Sequence, residues 1–209
     1  NLKIHSLDTR FLYCIKKIEL ADLRAEIGQS VITNYLSFNY DRPSAFGAFN
    51  SRVGMKAHFA AASIHSDDLG LFAPYLLTIK GRWDITADFE GTVEDFWVRN
   101  TDLRFGKDSR LVGDFGFKGL PEFSKTVMEL RMQNTNVLME DLRPYYPEWE
   151  AHDFLAKLVR VSANATYLGD ITDFSVRGEF ETQAGDLKAD LDFHVEDRKA
   201  TTYKGTLQT

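Results

Sequence analysis

From Ile79 to Val93 the chain alternates without a break. Ile79, Gly81, Trp83, Ile85, Ala87, Phe89, Gly91 and Val93 are apolar or small, and the residues between them, Lys80, Arg82, Asp84, Thr86, Asp88, Glu90 and Thr92, are all polar. A period of two marks a strand with one dry face and one wet face. The pattern returns at Val53–Ala61, Leu111–Phe117, Met128–Met132 and Phe174–Phe180. Leu187, Ala189, Leu191, Phe193 and Val195 lead into a polar turn, Glu196–Lys199, and the alternation resumes at Tyr203, Gly205 and Leu207, which predicts a hairpin. Many one-sided strands predict a mainly β chain with an antiparallel sheet.

Helix signals are sparse. Ser66 reads as an N-cap, with Asp67 and Asp68 in the first turn and Leu69, Phe72 and Leu76 on one side. A second short helix is expected near Asn136–Leu142, and a third opens at Pro147, with Trp149, Phe154, Leu155 and Leu158 as its apolar positions. All three read as plugs or end pieces on a sheet.

The alternating stretch also has a distant copy. Ala87–Arg99 recurs 78 positions later as Ala165–Arg177, with six of thirteen positions identical. Upstream of the two copies stand Asp67–Pro74 and Glu140–Pro147, which share Asp68/Asp141, Leu69/Leu142 and Pro74/Pro147. Ala21-Asp-Leu-Arg24 is echoed by Thr101-Asp-Leu-Arg104, with Ser30 and Ser109 following. The expected unit is about 75–80 residues long, with approximate divisions 1–76, 77–147 and 148–209 of a single β-rich segment. The chain opens at Asn1 and closes on an apparent strand, and it reads as a segment of a longer protein.

Composition narrows the function classes. The 209 residues are 44% hydrophobic and 27% charged, enough apolar matter for a sizeable core. A net charge of −6 argues against nucleic acid, which needs a basic footprint. One cysteine, Cys14, permits no internal disulfide and reads as a core thiol. No run approaches the ~18–20 apolar residues of a membrane-spanning helix.

Candidate chemistry is thin. His65-Ser66-Asp67-Asp68 is best read as a helix start preceded by a surface histidine, and His58 and His65 share no metal-binding face. Gly106-Lys107-Asp108-Ser109 lacks the upstream glycine of a phosphate loop and reads as a hairpin turn. Asp190 and Asp192 alternate with apolar residues and belong to the wet face of a strand. Asn164-Ala165-Thr166 fits a glycosylation sequon, a short motif that often arises by chance. No nucleophile–base arrangement, metal or cofactor site is legible, so no enzyme is expected.

The dry faces carry the functional expectation. They are rich in Phe and Met: Phe38, Met55, Phe59, Trp83, Ile85, Phe89, Phe115, Phe117, Met128, Leu130, Met132, Phe174, Phe180, Leu191 and Phe193. A repeated sheet either closes on a second sheet or curls into a trough, and a dry trough suits acyl chains because apolar contacts are non-directional. The order of motifs is Asp-Leu, a strand and Ser, a strand pair, Asp-Asp-Leu…Pro, then a long alternating strand ending in Phe89-Glu-Gly91, with Val93-x-Asp-Phe96 after it. That order resembles the repeat region of large AsmA-like proteins related to TamB, most clearly over Leu20–Leu120 and Asp141–Thr209. Gly119-Leu-Pro121 and Thr182-x-x-Gly185 are similar to the family's habit. The resemblance implies a periplasmic bridge anchored in the inner membrane, a taco-like curled sheet and phospholipid or other acyl-chain cargo. It also implies an outer-membrane assembly partner reached through the full-length protein. The rivals are a structural spacer or protein-interaction module of a cell-envelope protein, and a transmembrane β-barrel.

Overall fold

The structure, a computed structural model, describes residues 3–70, 74–145, 157–197 and 200–209. They form one antiparallel sheet of twelve strands: β1 (Ile4–Cys14), β2 (Lys17–Ile27), β3 (Ser30–Asn39), β4 (Gly54–His65), β5 (Arg82–Gly91), β6 (Asp95–Phe105), β7 (Ser109–Lys118), β8 (Val127–Leu138), β9 (Arg160–Gly169), β10 (Asp173–Thr182), β11 (Gly185–Asp197) and β12 (Ala200–Gln208). Each strand pairs with its chain neighbours, so spatial order equals sequence order. The sheet is not closed, and β1 and β12 are its edges among the described residues.

The registers place the apolar residues on one face from edge to edge. One row of partners runs Tyr13, Ile18, Phe38, Met55, Gly91, Phe96, Phe117, Met128, Gly169, Phe174, Phe193 and Tyr203. The next runs Phe11, Leu20, Leu36, Ala57, Phe89, Val98, Phe115, Leu130, Tyr167, Val176, Leu191 and Gly205. The opposite face carries cross-strand ion pairs such as Lys56–Glu90 at 2.7 Å, Arg110–Asp102 at 2.7 Å and Arg177–Asp190 at 2.9 Å. These pairs are exposed, worth up to about 1 kcal/mol each, so burial of the dry face is the larger driving force.

A single layer buries little. The chain exposes 13065 Å², about a third more than the ~9,900 Å² expected of a compact 23.8 kDa chain. Among the described residues the largest fully buried side chains are Val53, Thr126, Ser37 and Ser66.

Strand alternation is interrupted on purpose. β2, β4, β6 and β8 each hold one residue more than the neighbour they pair with, and the extra residues lie near mid-strand. Such bulges bend a strand and increase its twist. In β2, β6 and β8 the bulge holds a residue with φ near 51°, Asp22, Asn100 and Asn134, types that tolerate the left-handed region. Neighbouring strands satisfy the freed backbone groups. Thr9 donates to the Ala21 carbonyl, Thr33 to Ala61 and Thr86 to Ala60; Asp114 and Asn164 accept from the N–H groups of Asn100 and Asn134.

These features correct several expectations. In β4 the alternation from Val53 to Ala61 breaks at the bulge, and Ala62, not Ala61, returns to the dry face, 2% exposed. The strand expected from Ile79 to Val93 spans only Arg82–Gly91, because Lys80 takes φ 49° and Val93 falls in the turn. The first helix is one turn, α2 (Ser66–Leu69), followed by a 3-10 turn at Pro74–Thr78. Ser66 is not its N-cap: its Oγ accepts from the Gly81 N–H at 2.9 Å, and its own N–H bonds the Gly81 carbonyl. The second helix is α3 (Met139–Leu142), while Asn136–Leu138 remains strand. Another turn, α1 (Phe49–Arg52), follows a 3-10 segment at Pro43–Ala48. Phe72, Pro147, Trp149, Phe154 and Leu155 lie outside the described residues. Cys14 is exposed at the end of an edge strand, opposite Lys17, and is not a core thiol. The Leu187–Leu207 hairpin is present as β11 and β12, and Gly106–Asp108 forms the turn between β6 and β7.

Candidate apolar groove

All fifteen dry-face residues expected from the sequence share the one apolar face. Phe115 and Met128 are buried, and the others are half-buried. Aromatic rings run across the strands in two ladders. Phe89, Phe96 and Phe117 have successive centroid distances of 4.9 and 5.1 Å, and Tyr167, Phe174 and Phe193 have 5.0 and 4.8 Å. Each ladder starts beside a glycine. Gly91 (φ +143°) and Gly169 (φ +134°) lie directly opposite Phe96 and Phe174. A Cβ would stand 2.3 Å from the Asp95 carbonyl oxygen at Gly91 and 2.1 Å from that of Asp173 at Gly169. The repeated sequence therefore encodes a strand end over which an aromatic ring closes.

Among the described residues, packed segments cover the face at its two ends. Phe38 packs under the 43–52 segment with Tyr40, Ala45 and Val53, and its ring lies 6.0 Å from Phe49. At the opposite strand ends, Met139 and Leu158 form a second cluster with Leu142 and Val161. Beside it lies an apolar cleft of ≈ 410 Å³ lined by Leu76, Trp83, Leu103, Phe105, Leu111, Phe117, Leu142 and Tyr145. Trp83 Nε1 donates to the Tyr145 hydroxyl, and burial pushes the tyrosine's pKa up. Of these eight, Trp83 and Phe117 were expected as groove residues. Leu103 and Phe105 escape a reading by alternation because the β6 bulge moves the dry face from Phe96 and Val98 to Thr101, Leu103 and Phe105. The legible signal is that phase change across Arg99-Asn100.

Two clasps tie the helical turns to the sheet. Asp141, 7% exposed, accepts from the N–H of Lys107 (2.9 Å), the N–H of Asp108 (3.2 Å) and the hydroxyl of Ser109 (2.7 Å); Ser109 Oγ in turn accepts from the Leu138 N–H (2.9 Å). Asp68 repeats the arrangement: it accepts from the Gln29 N–H (2.9 Å) and the Ser30 hydroxyl (2.6 Å), and Ser30 Oγ accepts from the His65 N–H (2.8 Å). Burial opposes the charge on Asp141, but the bonds from Lys107, Ser109 and Asp108 outweigh it and hold the carboxyl below its usual range. The clasps give Asp68/Asp141 and Ser30/Ser109 their meaning. They also shift the echo of Ala21–Arg24 in Thr101–Arg104: the matching turn glycines, Gly28 and Gly106, make Asp22 the counterpart of Asn100, both at φ 51°.

The wet face holds charge but no converging chemistry. One cleft there, ≈ 490 Å³, is lined by Arg82, Asp84, Arg104, Lys107, Asp108 and Arg110 among others. Asp102 pairs there with Arg110, which holds its carboxyl below the usual range. His65 is half-buried rather than on the surface, with Nδ1 3.9 Å from Asp67. Asn164 of the sequon uses its Oδ1 on the Asn134 N–H. Among the described residues no group of three His, Cys, Asp or Glu side chains is placed to hold a metal, and no helix is long and apolar enough to cross a membrane.

No protein-family model matches the chain, and no curated protein or solved structure is significantly similar to it.

Proposed function

We propose that the chain is a non-enzymatic segment of an AsmA-like, TamB-related bridge in the periplasm, and that its dry face carries phospholipid acyl chains between membranes or supports outer-membrane protein assembly. The observation that carries this reading is one continuous apolar face on an unclosed twelve-strand sheet. In this reading the sheet is a curled, taco-like trough of units about 75–80 residues long, the spacing of Gly91/Gly169, with loops of varying length that bring Asp68 and Asp141 slightly closer together. The bulges supply the bend, and the clasps hold the helical turns beside the trough. Half-buried Phe, Leu and Met side chains then offer a surface along which a tail slides with little directional preference.

Retention of labelled phospholipid after gel filtration tests the reading. Phe89→Asp and Phe193→Asp should lose the lipid, and Asp88→Ala and Asp190→Ala should keep it. Equal retention in all four variants sinks the proposal.

One observation favours a spacer instead. Ala57, Ala62, Ala87, Ala163, Ala165 and Ala189 are all 6% exposed or less, as in a packed core. A spacer retains no lipid in any variant, the wild type included.

A further inference from the structure

The wet-face cleft of ≈ 490 Å³ lies at the same strand ends that hold the apolar cleft on the dry face. Among the described residues its lining brings four cations together: Arg82 of β5, Arg104 of β6, Lys107 of the turn between β6 and β7, and Arg110 of β7. Two anions, Asp84 and Asp108, line it with them. This excess of positive charge stands in a chain of net charge −6. The turn that presents Lys107 is fixed, because the Lys107 and Asp108 N–H groups donate to Asp141.

The strand registers leave one of these cations over. Arg104 lies directly opposite Asp84 on one side and Arg110 on the other. Like charges directly opposite on one face of a sheet are destabilising. Asp102 relieves Arg110 by accepting from its Nε at 2.8 Å and its Nη2 at 2.7 Å, but the same carboxylate stands 3.8 Å from Arg104 Nε, too far for a hydrogen bond. Asp84 is taken by Arg82, which donates from Nε at 3.2 Å and from Nη2 at 3.0 Å. Asp108 is taken by Arg160, and Lys107 Nζ donates to Glu140 at 2.9 Å. The Arg104 side chain, 67% exposed, therefore lines the cleft with guanidinium donors that no described residue matches.

We propose that this cleft binds a phosphate group, with the Arg104 guanidinium as its bidentate fork and Arg82, Lys107 and Arg110 supplying the surrounding positive charge. A planar fork of donors matches two phosphate oxygens, and charge-assisted bonds of this kind are about twice as strong as neutral ones. The bound anion also relieves the repulsion between Arg104 and Arg110. A lone carboxylate engages the fork but leaves the other cations without an anionic oxygen. One phosphate fills only part of the ≈ 490 Å³, so the ligand is a phosphate ester whose organic part takes the rest. The ester is either a soluble one or a lipid headgroup. The cleft binds and does no chemistry: the Ser109 hydroxyl is committed to the Asp141 clasp. It lies on the face opposite the acyl-chain surface, and it stands or falls independently of that reading.

Calorimetric titration at low ionic strength, where surface charge is least screened, tests this with two probes: glycerol 3-phosphate, and dihexanoyl phosphatidic acid below its micellar concentration. Wild type should bind at least one of them. Arg104→Gln should weaken that binding at least about tenfold, and Arg104→Lys, which keeps the charge but loses the fork, by an intermediate factor. Arg24→Gln, which breaks an exposed pair with Glu26 elsewhere on the sheet, should leave affinity within about twofold. Circular dichroism verifies that each variant keeps its strand content. Similar affinities for the two probes assign the cleft to a soluble ester, and a lipid probe bound at least about tenfold tighter assigns it to a headgroup. No binding of either probe up to about 10 mM, or equal weakening in Arg24→Gln and Arg104→Gln, overturns the proposal. Lipid binding that Arg104→Gln leaves unchanged belongs to the dry face and overturns this site alone.

Discussion

Asp141→Asn should loosen the fold by about 2–4 kcal/mol. The substitution keeps the shape but removes the charge, and its amide nitrogen places donors against the Lys107 N–H. Hydrogen bonds to a charged group are worth about 1.5–3 kcal/mol each, and buried donors left unmatched add their own penalty. Three such bonds meet at Asp141, two of them, from Asp108 and Ser109, on one oxygen; an amide that keeps its oxygen there retains those two and loses the Lys107 bond, and that loss with the penalty on its unmatched N–H gives the range. For a chain of 209 residues the loss corresponds to about 5–15 °C in melting temperature. The folded pKa of Asp141 is depressed, so its contribution is fully present above the unfolded value near 3.8 and is lost as pH falls through the folded one. Thermal melts from pH 7 to pH 3 should therefore show a gap between wild type and variant that is constant above pH ~4 and narrows below it. Asp68→Asn is the internal comparison: its carboxylate accepts two bonds instead of three, so its loss should be smaller. An Asp141→Asn protein as stable as wild type at neutral pH, or a gap that widens on acidification, would refute the clasp.

Other outcomes follow from the same structure. Gly91→Ala and Gly169→Ala should each cost about 2–5 kcal/mol in urea unfolding, since both backbone angle and space forbid a Cβ there; Gly185→Ala, with the same strained φ but open space, should cost only about 1–3 kcal/mol. Asn134→Gly should be neutral to within about 0.5 kcal/mol and Asn134→Val clearly destabilising, because the bulge needs the left-handed region. Burial raises the pKa of Tyr167 to about 12, so its share of stability is present below pH ~10 and lost between there and about 12. Tyr167→Phe should flatten the alkaline limb of the stability–pH curve in that window.

Much of this was legible in the sequence, and what was hidden has physical causes. A period of two reports which residues share a face, so the fifteen dry-face residues and the hairpin of β11 and β12 could be read directly. It reports nothing across a bulge, where one extra residue reverses the phase, and so Ala62, Leu103 and Phe105 were out of reach. The Asp68/Asp141 and Ser30/Ser109 matches were visible as letters, but their meaning was not. The clasps join Ser30 to Asp68 and Ser109 to Asp141, 38 and 32 positions apart, and only the folded sheet brings a turn and a helix start together. Ser66 misleads for a similar reason: a serine before two acidic residues has the pattern of a cap, yet a tertiary bond to Gly81 claims its hydroxyl. Cys14 has apolar neighbours in sequence but sits at the last residue of β1, an edge strand among the described residues, and is exposed there.

The central claim is that one face of the sheet meets acyl chains and the other does not. The most direct measurement places a photoreactive amino acid at successive positions from Asp190 to Phe193 and along Glu129 to Met132, with a phospholipid labelled in its tails. The account predicts adducts at Leu191, Phe193, Leu130 and Met132 and none at Asp190, Asp192, Glu129 and Arg131, an alternation with the period of the strand. Adducts without that alternation, or none at the four apolar positions, would contradict it.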